Sequence, residues 1–161
     1  MKNIKSLLLL LIISSLSFNA CQKPIVFVEG SGPGGTTPTK ATVLMSAKVN
    51  GILVNCESVA AQNDQNSGTL QINGTKAPEV FTFKFEGFKG PGTYNAADFT
   101  SFASYVNGTA DPLLNIFPAE SGTIKITKFT STMINGTFDF KAINANGDIK
   151  TITEGVFVVI L

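Results

Sequence analysis

Two cysteines, Cys21 and Cys56, and 11 carboxylates are the residues of this chain with the widest chemical range. Histidine is absent. Neither a Ser-His-Asp nor a Cys-His arrangement is therefore possible, and no imidazole can hold a metal. The carboxylates are scattered. Asp139 and Glu154 fall on adjacent expected strands and, facing each other, would suit a two-carboxylate hydrolase. The plainer expectation is two solvated side chains. Asn63-Asp64-Gln65-Asn66-Ser67 has the acid and amide spacing of an opening calcium loop, but the glycine and the closing glutamate do not follow at the required distance. A solvated loop over 62–68 is expected there. The sequence thus implies no catalytic residue, no metal and no cofactor, and the chain is not expected to be an enzyme.

Cys21 has the more telling surroundings. Lys2 and Lys5 precede an apolar run from Leu7 to Ile13, and Ser14, Ser15, Ser17 and Asn19 then lead to Ala20-Cys21. Such a run is shorter than the roughly 20 apolar residues that span a bilayer, and it reads as a cleaved export signal. Leu16-Ser17-Phe18-Asn19-Ala20-Cys21 resembles a bacterial lipobox, in which the cysteine becomes the lipidated first residue of the mature chain. Phe18 departs from the aliphatic residue usual at that position. The bland alternative is an ordinary secretory signal with Cys21 a spectator. The resemblance implies acyl chains such as palmitate on Cys21, which is then the contact with the membrane. Each buried methylene contributes about 0.8 kcal/mol, so two or more chains hold a small protein stably. Gln22 after the cysteine implies the outer membrane by the sorting pattern of such lipoproteins. The periplasmic or surface face stays open, because no acidic run follows and the first acid is Glu29.

Three segments follow: a signal peptide over 1–20, a lipidated cysteine with a Gly/Pro/Thr-rich tether over 21–40, and one domain over 41–161. Lys and Arg together number 12, and Lys2 and Lys5 precede residue 21, so ten cations face 11 acids in the remainder. A nearly neutral surface without arginine argues against a nucleic-acid partner. With Cys21 lipidated, Cys56 has no disulfide partner, and stability must come from a packed core.

The domain reads as antiparallel β throughout. Val43, Met45, Ala47 and Val49 alternate with polar positions, Asn50-Gly51 intervenes, and Ile52, Val54 and Cys56 alternate again. Asn-Gly between alternating runs is a strong hairpin signal, because a type I′ turn needs positive φ at both central residues. A two-residue loop sets Val49 opposite Ile52, Ala47 opposite Val54 and Met45 opposite Cys56, which makes Cys56 a core thiol. Thr69 to Asn73 and Val80 to Phe88 follow, the latter with Phe81, Phe83 and Phe85 in alternation. The pattern then predicts strands over 101–106 and 113–117 with a turn over 107–112. Gly122 to Phe129, Ile134 to Ala142 and Ile149 to Leu161 complete the set, with Asn135-Gly136 inside a strand. Val156 to Leu161 is apolar on both faces and is expected to be covered on both. About nine strands in an antiparallel β-sandwich or flattened β-barrel, with little helix, are expected.

Gly122-x-Ile124-x-Ile126-Thr127, Gly136-Thr137-Phe138-x-Phe140 and Thr153-x-Gly155-x-Phe157, with Val49-Asn50-Gly51, resemble a family of small Bacteroidota lipoproteins of unknown function. That family often has Trp where Val54 stands, and this sequence contains none. The resemblance implies an all-β lipoprotein and transfers no active site. Three Asn-Gly-Thr triplets at Asn73, Asn107 and Asn135 are formal glycosylation sequons, but in a bacterial export product turn chemistry is the plainer expectation. Phe88, Tyr94, Phe99, Phe102 and Tyr105 lie among Gly, Ala, Ser and Asn. They are candidate contacts for a sugar or an apolar ligand, against the alternative that they plug one end of the fold. The leading expectation is a lipid-anchored, non-catalytic envelope module that binds a glycan, peptide or envelope protein through loops at one end. A β-barrel carrier of a small apolar ligand is an alternative, as is a fimbrial or surface-assembly subunit.

Overall fold

The computed structural model describes residues 44–161 apart from Thr109. Cys21, the leader before it and the expected tether lie outside the described residues. Strands β1 (Met45–Val49), β2 (Ile52–Asn55), β3 (Ser58–Asp64), β4 (Thr69–Lys76), β5 (Glu79–Phe85), β6 (Gly92–Asn95) and β7 (Ser101–Val106) come first. A helical turn α1 (Pro112–Asn115) precedes β8 (Ile116–Phe129), β9 (Met133–Ile143) and β10 (Ile149–Ile160). Nine of the strands follow one path, β2-β1-β10-β9-β8-β7-β5-β4-β3, and β6 pairs with β8 beside it. The sheet is antiparallel and curls into a half-barrel, so the expected all-β class is the one found.

The Asn-Gly turn forms as its chemistry requires. Asn50 and Gly51 have φ of 49° and 81°, and Val49 pairs with Ile52 and Ala47 with Val54. Val49 and Val54 are buried, but Ile52 overhangs the core at 73% exposure. On β5 the alternation delivers Phe81, Phe83 and Phe85 to the interior, each fully buried. Phe83 lies 4.7 Å from the ring of Phe138 and 5.7 Å from that of Phe157, which joins β5 to β9 and β10 across the curl. Packed aromatic pairs of this kind contribute about 0.5–1.5 kcal/mol beyond their buried area.

Five expectations are corrected. The Asn-Gly-Thr triplets at Asn73 and Asn135 are not turns but lie inside β4 and β9, where a Cβ at Gly74 or Gly136 would overlap Met45 or Phe157. Residues 62–64 belong to β3 and pair with β4, because the partly buried Val59 and Ala61 carry the strand onto the core despite its polar end. Residues 113–115 are helical rather than extended. The Asp111 side chain accepts the Leu113 N–H at 2.9 Å, and Pro112 starts the turn, which is ordinary N-capping with proline in first position. The strand expected from Gly122 instead begins at Ile116, with register shifts between Ala119 and Ser121 and between Ile126 and Lys128. Each bulge changes the alternation by one residue and hides the strand from a period-two reading. Finally, β10 is bonded along both edges, to β1 and β9, but its outer face is open. Val156 and Ile160 are exposed while Ile152, Phe157 and Val159 are buried. Covered edges and a covered face produce the same apolar run in sequence.

Candidate ligand cleft

The turns β1–β2, β4–β5, β7–β8 and β9–β10 meet at one end of the half-barrel, where an open cleft of about 360 Å³ lies between their inner faces. Val49, Asn50, Ile52 and Val54 form one wall. Pro78, Glu79, Tyr105, Asn107 and Lys150 form the rest. Cleft residues thus come from segments as far apart as Val49 and Lys150, and the topology alone brings them together.

Glu79 is in phase with Phe81, Phe83 and Phe85, so the strand period points a carboxylate inward at the mouth. Tyr105 pairs across from Phe81, with ring centroids 5.1 Å apart. Its hydroxyl donates to Glu79 Oε1 at 2.5 Å, and Lys76 Nζ stands 3.8 Å from Oε2. Burial first, then the hydrogen bond and the charge of Glu79, push the Tyr105 hydroxyl well above its ordinary value. Tyr105 is therefore a neutral donor that holds the carboxylate in place. Lys150 is in phase with the buried Ile152 on β10, and its ammonium lies 5.4 Å from the centre of the Phe117 ring. At the cleft edge, Asn107 Oδ1 is buried without a hydrogen-bond partner.

The five aromatics singled out in the sequence do not converge. Phe88 stacks on Tyr94 at 5.8 Å and meets Phe129 edge-on at 4.9 Å. Tyr94 donates its hydroxyl to the Gly90 carbonyl. These two pack with Phe85 at the end of the half-barrel away from the cleft. Phe102 is half-buried, Phe99 is 85% exposed, and only Tyr105 lines the cleft. Cys56 is partly buried against the core, beside Gly74 and Met45. Desolvation, with the nearby Glu79 charge, pushes its thiol up from 9.0 to about 11. Asp139 and Glu154 turn to opposite neighbours, Asp139 accepting from Thr123 in β8 and Glu154 pairing with Lys48 in β1 at 2.6 Å. Among the described residues no three His, Cys, Asp or Glu side chains gather as a metal site would need.

Sequence reading missed Glu79 and Lys150. Each has a signal, a charge in phase with an apolar stripe, but single in-phase charges at strand ends usually extend into solvent. Residues 41–161 match the family described as a domain of unknown function (DUF6252). No curated protein and no solved structure matches the chain.

Proposed function

We propose that this chain, which belongs to the DUF6252 family of domains of unknown function, is a lipid-anchored, non-catalytic binding module of a Bacteroidota cell envelope, with its ligand held in the cleft. The observation that carries the binding half is the cleft itself, a concave mouth with an apolar wall and a few oriented polar groups, as ligand sites generally are. The chain enters β1 at Met45, and the cleft forms at the Val49 end of that strand. The lipobox around Cys21 supports the anchor, and Gln22 supports the outer membrane.

A carrier with an apolar ligand inside needs a cavity lined by the inward phenylalanines. Phe81, Phe83, Phe138, Phe140 and Phe157 instead pack on one another with centroids 4.7 to 6.5 Å apart. The mouth is thus the better place for a ligand.

Two measurements test the reading. In a diderm host supplied with labelled palmitate, the wild-type chain takes up label and fractionates with the outer membrane, while Cys21→Ala takes up none and accumulates as uncleaved precursor, held only by its signal segment. A Cys21→Ala chain that stays membrane-bound without precursor build-up overturns the anchor. Native mass spectrometry of protein from its own envelope should show a bound species that Val54→Trp displaces. Equal retention by this variant removes the cleft from consideration.

A further inference from the structure

We infer that the cleft takes a monocarboxylate with a small aliphatic body, the carboxylate on Lys150 and the body against Val49, Ile52, Val54 and Pro78. This rests on the cleft reading above and names the chemistry of its ligand.

The charges of the cleft are unequally satisfied. Glu79 already has the Tyr105 hydroxyl on one oxygen and Lys76 near the other. Lys150 has neither kind of partner. The ion pairs among the described residues engage Lys48, Lys76, Lys84 and Lys141 and leave Lys150 without a carboxylate within 4.0 Å. Its ammonium is held at the Phe117 ring, and the residue is half-buried at the lining of the cleft. A cation fixed over an aromatic face and partly shielded from water attracts an anion more strongly than a freely solvated lysine does.

The same geometry limits which anion fits. One lysine lines the cleft, and Glu79 shares it, so a second negative charge would meet repulsion with no second lining cation to offset it. A phosphate monoester is disfavoured and a single carboxylate is favoured. Of the remaining lining, Asn50, Tyr105 and Asn107 are polar, while Val49, Ile52, Val54 and Pro78 are aliphatic, and Ile52 overhangs the core at the mouth. At about 30 Å³ of liquid volume for a group the size of water, a cleft of about 360 Å³ holds roughly a dozen heavy atoms. Both the last residue of a peptide and a medium-chain fatty acid meet that description.

The test uses the full chain in detergent and two matched pairs of probes: N-acetylleucine with its primary amide, and octanoate with octanamide. Amide-resonance shifts locate binding, and calorimetry measures it. The expected result is shifts at Ile52, Val54 and Lys150, with one acid bound at least about tenfold more tightly than its amide. Lys150→Met, which keeps the apolar stem, should erase that preference, while Lys84→Met on the outer face should not. Whichever acid is preferred tells a peptide end from a fatty acid. Amides that bind the cleft as tightly as the acids, or an acid preference that survives Lys150→Met, overturn the carboxylate and leave the cleft as a site. No shift with any of the four probes up to their solubility overturns both.

Discussion

Alanine at position 136 should destabilise this domain more than alanine at either of two other glycines that also follow asparagine. At Gly51 the backbone has φ of 81° and a Cβ would meet open space, so Gly51→Ala carries only the left-handed penalty, about 1–2 kcal/mol. At Gly74 a Cβ would overlap the Sδ of Met45. That atom belongs to a flexible side chain that can turn aside, at about 1–2 kcal/mol of repacking. Gly136 has no such relief. Its Cβ would overlap the ring of Phe157 and lie 2.5 Å from the Lys125 carbonyl oxygen. Lys125 is held in the ladder between β8 and β9. Backbone in a ladder moves only with its neighbours, which places Gly136→Ala at about 3 kcal/mol, the upper end of overpacking. With a urea m-value of about 2 kcal/mol/M, the midpoint falls by about 1.5 M. Urea unfolding followed by circular dichroism would measure all three variants. A Gly136→Ala midpoint no lower than that of Gly51→Ala refutes the reasoning.

Three further outcomes follow from the core. Phe83→Ala removes the ring that meets Phe138, Phe140 and Phe157; it should cost about 3–5 kcal/mol, and thermal melts should show Phe83→Leu losing less than half as much. With its thiol raised to about 11, Cys56 should react slowly with iodoacetamide in mildly alkaline buffer and speed up once the chain is unfolded by urea. Because unfolded chains ionise this thiol first, its contribution to stability is fully present below 9.0 and lost as pH climbs to about 11. Wild type should lose more stability than Cys56→Ser across that window, and equal losses would count against the shift.

Where local chemistry decides the structure, it could be read directly. Asn50-Gly51 set both turn and register, and the spacing of Phe81, Phe83 and Phe85 identified the inward face. Asn135-Gly136 belongs to a strand, because a turn there leaves Phe129 to Met133 unpaired, and it does lie within β9. Bulges defeated the same method in β8, since the inward parity differs on the two sides of each slip. The polar β3 gave little signal, because its place at the sheet edge leaves alternate residues exposed. The cleft was illegible for another reason. Its two charges, Glu79 and Lys150, are made neighbours only by the curl of the sheet, and no local pattern reports curvature.

The hairpin of β1 and β2 is the first described part of the chain, yet β1 bonds to β10, the last strand. A ribosome must therefore finish β10 before β1 gains its second neighbour, and such distant pairing slows folding. Until then one seam of the sheet stays open, although β3, β4, β5, β7 and β8 already pair in chain order. Export of the kind proposed above would then meet a chain whose sheet is not yet complete.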